Sequence, residues 1–227
     1  MYPVSSLKWV VIKMRMLDSL GDPTKSEWTV IQPVDDHDRD MLPQEILRIR
    51  ELCPESSFAI VPVLVNWFQD LSPWTAPSAF KGQGDFGSGA EATLAQIIRE
   101  IVPEISEKKI LGGYSLAGFF ALWAGYQTDL FDGIVAASPS VWYPGWDEYM
   151  AQHKCLAPMV YLSLGRQEEM TRNPVMRTVG DRIRDQFRFL EEQNVQTVLE
   201  WNPGNHFSEP ERRIAAGFAW IMNNGNP

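Results

Sequence analysis

The stretch Gly112-Gly113-Tyr114-Ser115-Leu116-Ala117-Gly118 decides how this chain is read. A short apolar run, Lys109-Ile110-Leu111, precedes it, and a strongly apolar one, Phe119-Phe120-Ala121-Leu122-Trp123, follows. Small residues around one serine, between a strand and a helix, make the pattern of a nucleophile elbow. Such a turn raises a hydroxyl above the end of a sheet, and the helix behind it offers unpaired N–H groups to an anion. The usual spacing is G-x-S-x-G; here Ala117 holds the last position and Gly118 comes after it. Glycine suits that position because the helix passes close to neighbouring strands, and alanine is the next smallest residue. The competing reading is a tight turn that binds phosphate or only reverses the chain.

On either side of the elbow, strand-like and helix-like runs alternate, which predicts an α/β fold with a mostly parallel central sheet and helices on both faces. Strands are expected at Trp9–Met14, Trp28–Gln32 (ended by Pro33), Phe58–Val65, Gly133–Ala137, Met159–Leu164 and Val195–Trp201. A helix is expected over Pro43–Leu52, with Ile46, Ile49 and Leu52 at helical spacing. Two S-x-x-E patterns, Ser88/Glu91 and Ser208/Glu211, predict capping boxes ahead of further helices. The first of those helices carries Ala90, Leu94, Ile97, Ile98, Ile101, Val102 and Ile105 on one face. Another has Met176, Val179, Ile183, Phe187 and Leu190 on one face, and the last carries Ile214, Phe218 and Ile221. Residues 66–87 lack periodicity and are rich in Pro, Gly, Ser and aromatics, as expected of a long active-site loop. With no repeat or linker, the 227 residues read as one domain.

A serine is a poor nucleophile at neutral pH and needs a base, itself oriented by a carboxylate. On an elbow of this kind the chain order is serine, acid, histidine, each just past a strand end. His206 lies between the last strand and the last helix, where that order puts the base. His153 falls in an expected helix, Asp147–Lys154, and His37 precedes the serine, so neither fits. The acid belongs in the turn Gly165-Arg166-Gln167-Glu168-Glu169, with Glu168 favoured and Glu169 the alternative. The oxyanion hole should combine the N–H of Leu116 with one from Val34 or Asp35, since Pro33 has no N–H to give. Pockets tend to be apolar and aromatic, so Trp67 and Trp74 in the long loop, and Trp142 and Tyr143 after Ser138-Pro139-Ser140, are the expected substrate contacts.

Taken together, Gly113-Tyr114-Ser115-Leu116-Ala117-Gly118, Ala137-Ser138-Pro139-Ser140-Val141-Trp142, the Gly165-x-x-Glu168 turn and the late His206 resemble an esterase family of α/β-hydrolases. That family includes esterase D-like enzymes, enterochelin esterases, feruloyl esterases and mycolyltransferases. The resemblance covers about Trp28 to Ile221 and implies an α/β-hydrolase fold. It also implies a serine esterase, with Ser115 attacking an ester carbonyl, His206 as base and then acid, and Glu168 as orienter. Thioesterase or acyltransferase chemistry on the same residues, and a non-catalytic ligand-binding relative, are the alternatives. The sequence departs from the family at Ala117 and at Gln32-Pro33-Val34-Asp35, where a His-Gly pair is missing.

Composition excludes several classes. A net charge of −9 leaves no basic stripe for nucleic acid. No run approaches the roughly 20 apolar residues of a membrane span. The first residues, Met1-Tyr2-Pro3-Val4-Ser5-Ser6, lack the pattern of a signal peptide, and Cys53 and Cys155 read as separate thiols, so a cytoplasmic protein is expected. The acidic cluster Asp35, Asp36, His37, Asp38, Asp40 could hold calcium or magnesium, but its spacing matches no EF-hand and it lacks a glycine at the turn, so it reads as a solvated loop. The expectation is therefore a small-molecule ester as partner, and neither cofactor nor metal.

Overall fold

The fold is that of a computed structural model, described over residues 20–80 and 82–225. The strand expected at Trp9–Met14 lies outside these residues. Six strands form one sheet: β1 (Trp28–Val34), β2 (Phe58–Leu64), β3 (Lys108–Tyr114), β4 (Gly133–Ala137), β5 (Met159–Gly165) and β6 (Gln196–Asn202). Their spatial order is β2-β1-β3-β4-β5-β6, and every neighbouring pair is parallel. Parallel strands need crossovers, and helices supply them: α1 (Asp36–Leu52), the short α2 (Trp67–Asp70), α3 (Ala90–Glu100), α4 (Ser115–Ala124), α5 (Trp146–Gln152), α6 (Val179–Glu192) and α7 (Pro210–Asn224).

Two apolar clusters sandwich the sheet. Leu42, Ile46 and Ile49 of α1 and Ile214, Phe218 and Ile221 of α7 cover one face, meeting Val30, Ile110, Val135 and Tyr161. Leu94 and Ile97 of α3, all the apolar residues of α4, and Ile183 and Leu190 of α6 cover the other, meeting Ile31, Leu111, Ile134 and Leu162. Successive residues such as Val30 and Ile31, or Tyr161 and Leu162, part to opposite faces because side chains alternate along a strand. The central strands are buried on both sides and so read as continuous apolar runs. Cys53 and Cys155 are buried free thiols, one in each cluster.

Several local expectations are corrected. β1 runs through Pro33 to Val34 and is not ended by the proline. The acidic cluster is no loop: α1 begins at Asp36, ahead of Pro43, which is carried inside it. The Asp35 carboxylate accepts the Asp38 N–H at 2.9 Å, and Asp36 and Asp38 in the first turn complement the helix dipole. Neither capping box forms. α3 follows Gly89 and α7 follows Glu209, both without a side-chain cap. The start of α3 is held instead by backbone, with Ala90 N–H donating to Ser72 O at 3.1 Å. Ser208 turns back and accepts from Asn205 N–H at 3.1 Å. His153 sits just past α5 and stacks on Tyr149. Among the described residues no helix is long and apolar enough to cross a membrane, and no group of three or more His, Cys, Asp or Glu side chains could hold a metal.

Candidate active site

A parallel sheet collects its strand-end loops on one edge, and ligands bind there. Ser115 follows β3, Ser138 follows β4, Glu168 follows β5 and His206 follows β6. Residues separated by up to 91 positions therefore meet.

At the elbow, Ser115 adopts φ 55°, a left-handed conformation that a side chain adopts only where its surroundings hold it. The close packing expected there is real. A Cβ added at Gly113 would lie 2.5 Å from that of Ala117, and one at Gly118 would lie 2.8 Å from the Gly113 carbonyl. The site thus tolerates the methyl of Ala117 because Gly113 faces it, and needs glycine one residue later, where backbone is the neighbour. The Ser115 carbonyl accepts from the Ser140 N–H at 3.1 Å, tying the elbow to the Ser138-Pro139-Ser140 turn.

His206 Nε2 is 3.0 Å from Ser115 Oγ, and His206 Nδ1 is 2.7 Å from Glu168 Oε2. The Glu168 side chain is 5% exposed and that of His206 25%. Burial alone would raise the Glu168 carboxyl. The hydrogen bonds and charge of His206, the Gly165 N–H and the Ser138 hydroxyl outweigh it and hold the group below the ordinary carboxylate value. Glu169 points elsewhere and pairs with Arg184 at 3.1 Å. Of the two carboxylates left open by the sequence, only Glu168 stands in series with the histidine.

Beside Ser115 and His206 opens a cleft of about 480 Å³, a size suited to a small molecule. Phe80, Trp142, Met170, Met176, Val179 and Phe207 supply its apolar wall. Of the four expected substrate contacts, only Trp142 lines it. Trp74 is committed to structure, donating from Nε1 to Pro144 O at 2.7 Å, while Tyr143 donates to Trp74 O at 2.6 Å. These two loops fasten each other, and Tyr143 is 1% exposed. Trp67 begins α2 and packs against the core. Sequence reasoning missed Phe80, Met170, Met176 and Phe207. The first stood within the long loop already marked, but nothing in the pattern separated it from its aromatic neighbours.

Leu116 lies in the first turn of α4, where N–H groups have no intrahelical acceptor. Val34 ends β1, the strand beside β3, and Asp35 follows it, but neither lines the cleft. The connection from β1 to α1 is the single residue Asp35, too short to fold over the serine.

No protein-family model matches the chain, and a search of curated proteins found no match. Solved structures do match. The siderophore hydrolase EstA from Aspergillus nidulans superposes with a TM-score of 0.66 at 18% identity, over 88% of this chain and 84% of that one. An IroE-like serine hydrolase from Shewanella oneidensis gives 0.69 at 15% identity, over 87% of this chain and 71% of that one. Esterase PE8 gives 0.55 at 16% identity, over 92% of this chain and 98% of that one. With its all-parallel sheet, serine elbow and helices on both faces, the chain has the α/β-hydrolase fold.

Proposed function

We propose that this protein is a serine hydrolase that cleaves a carboxylic ester of a small molecule through an acyl-enzyme. The observation that carries the reading is the unbroken series from Ser115 Oγ through His206 to Glu168, at 3.0 and 2.7 Å. His206 takes the proton of Ser115 as the oxygen attacks the ester carbonyl, and returns it to the departing alcohol. Water, activated by the same imidazole, then releases the acid. Glu168 fixes the tautomer that leaves Nε2 free to accept. The Leu116 N–H, at the start of α4, is a donor to the oxyanion. The apolar wall favours an aromatic or alkyl arm over an anionic one, as no lysine or arginine lines it among the described residues. The superposable serine hydrolase and esterase PE8 support serine-dependent ester hydrolysis on this fold.

Turnover of p-nitrophenyl esters should fall about a thousandfold or more in Ser115→Ala, and a fluorophosphonate should label Ser115. Undiminished turnover in that variant, or folded protein that takes no label, would reject the proposal. Faster turnover of thioesters, or transfer to added alcohols over water, would move the assignment to a thioesterase or an acyltransferase.

A further inference from the structure

Arg213, on the first turns of α7, is a charged side chain that the reaction as written does not use, and it is only 2% exposed. A buried guanidinium is costly unless its N–H groups are satisfied and its charge is balanced. The charge is balanced here and both terminal nitrogens are hydrogen-bonded, by groups of the active site and its loops. Nη1 lies 2.9 Å from Glu168 Oε1, 3.1 Å from Ser138 Oγ and 3.0 Å from the Tyr114 hydroxyl. Nη2 donates to the carbonyls of Pro203 and Asn205 at 2.8 and 2.9 Å. Those carbonyls belong to the loop that ends in His206. Tyr114 closes the ring: its hydroxyl donates to the His206 carbonyl at 2.8 Å.

We infer that Arg213 is a positioning residue that sets the acid and the base of the site against each other through one rigid cation. One nitrogen grips Glu168 and the other grips the His206 loop, so the separation of the two groups is fixed by the width of a guanidinium. The planar fork matters, since lysine offers a single nitrogen and cannot span both. The neighbours are shaped for this ion. A Cβ at Gly165 would stand 2.9 Å from both guanidinium nitrogens, so only glycine leaves room. Ser138 is held at φ 44°, and its hydroxyl donates to the same Glu168 oxygen at 2.8 Å. That oxygen also accepts the Gly165 N–H at 2.7 Å. Oε1 is therefore saturated, which leaves Oε2 to His206. Among the described residues the charged and titratable groups facing Glu168 are His206, Arg213 and the Tyr114 hydroxyl; Glu169 is turned away to Arg184.

This inference rests on the ester-hydrolase reading, and the experiment separates the two. Arg213→Met, Arg213→Lys and Tyr114→Phe are assayed beside Ser115→Ala, with active sites counted by a fluorophosphonate. In Arg213→Met, kcat per titrated site should fall roughly 100-fold with KM within about twofold. Its acid limb should move to higher pH, because the hydrogen-bonded Glu168–His206 pair without the neighbouring cation takes up a proton more readily. Arg213→Lys should recover about tenfold of the loss and restore the limb, since the charge returns but the span does not. Tyr114→Phe, which leaves the buried ion pair intact, should lower kcat about three- to tenfold, and non-additively with Arg213→Lys. If Arg213→Met does not fold, the lysine and phenylalanine variants decide. Wild-type kcat per site in both, or an acid limb unmoved in an Arg213→Met that does fold, overturns the inference. An active Ser115→Ala sinks the hydrolase reading itself, whereas an inactive one beside unaffected Arg213 and Tyr114 variants sinks only the role of the arginine.

Discussion

Two buried glutamates stand in opposite circumstances. Glu168, at the end of β5, receives His206 on one oxygen and Arg213, Ser138 and the Gly165 N–H on the other. Glu45, on α1, is just as buried at 2% exposure, yet it has one hydrogen bond, from Gln32 Nε2 at 3.1 Å. Among the described residues its Oε1 has no partner, and neither does Gln32 Oε1. The consequences diverge. Glu168 is held below the ordinary carboxylate value in spite of its burial, whereas burial pushes Glu45 up to about 8, helped by the nearby charges of Asp38 and Glu211. Depth alone thus says nothing about the charge of a carboxyl group; the donors around it decide.

The sharpest way to break this contrast is to neutralise each group. Glu168→Gln should lower kcat by about 10³–10⁴-fold, because an amide can hold His206 in the wrong tautomer. Glu45→Gln should leave kcat unchanged within about twofold, which steady-state assays of both variants will show. Equal losses would mean that Glu45 also serves the reaction.

Stability supplies the next test. With its pKa raised, Glu45 favours the folded state fully below the ordinary value of 4.5, and that contribution is lost as pH rises towards about 8. Denaturant titration should therefore find Glu45→Gln more stable than wild type by about 2–4 kcal/mol at about pH 9, and little changed near about pH 5. A gain of the same size at both pH values would show that Glu45 is not held neutral by the fold.

Glu168 has the opposite sign. Its contribution is complete above the ordinary 4.5 and is lost as pH falls through its lowered folded value. Acid unfolding of Glu168→Gln should accordingly show a weaker pH dependence than that of wild type, read from denaturant titrations between about pH 3 and 6. The smallest effect belongs to the neighbouring carboxylate. Glu169 pairs at the surface with Arg184, so Glu169→Gln should change stability by less than about 0.5 kcal/mol and leave activity intact.

The order of strands and helices was legible because a parallel sheet buried on both faces writes itself as apolar runs, seen at Gly133–Ala137 and Met159–Gly165. Helix starts were less legible. The Ser88/Glu91 and Ser208/Glu211 patterns look like caps, but Ala90 N–H bonds the distant Ser72 carbonyl, and Ser208 turns back to Asn205. Serine and histidine could be nominated from residue type and chain order alone, since few hydroxyls sit on such a turn and one late histidine follows a strand. The wall of the cleft could not. Whether an aromatic ring faces a cavity or fastens a loop depends on what lies across from it, as Trp142 and Trp74 demonstrate.

By itself, the sequence determined the α/β architecture, the elbow and the chain order of the reacting side chains, because these follow from periodicity, residue size and spacing along one dimension. Only the tertiary structure decided between Glu168 and Glu169, which lie side by side in the chain but face Arg213 and Arg184 respectively. It also brought Arg213 within hydrogen-bond reach of Glu168 and of the loop that carries His206. Electrostatic partners are chosen by distance in space, and Arg213 stands 45 residues from Glu168 and 99 from Tyr114, beyond the reach of any local pattern.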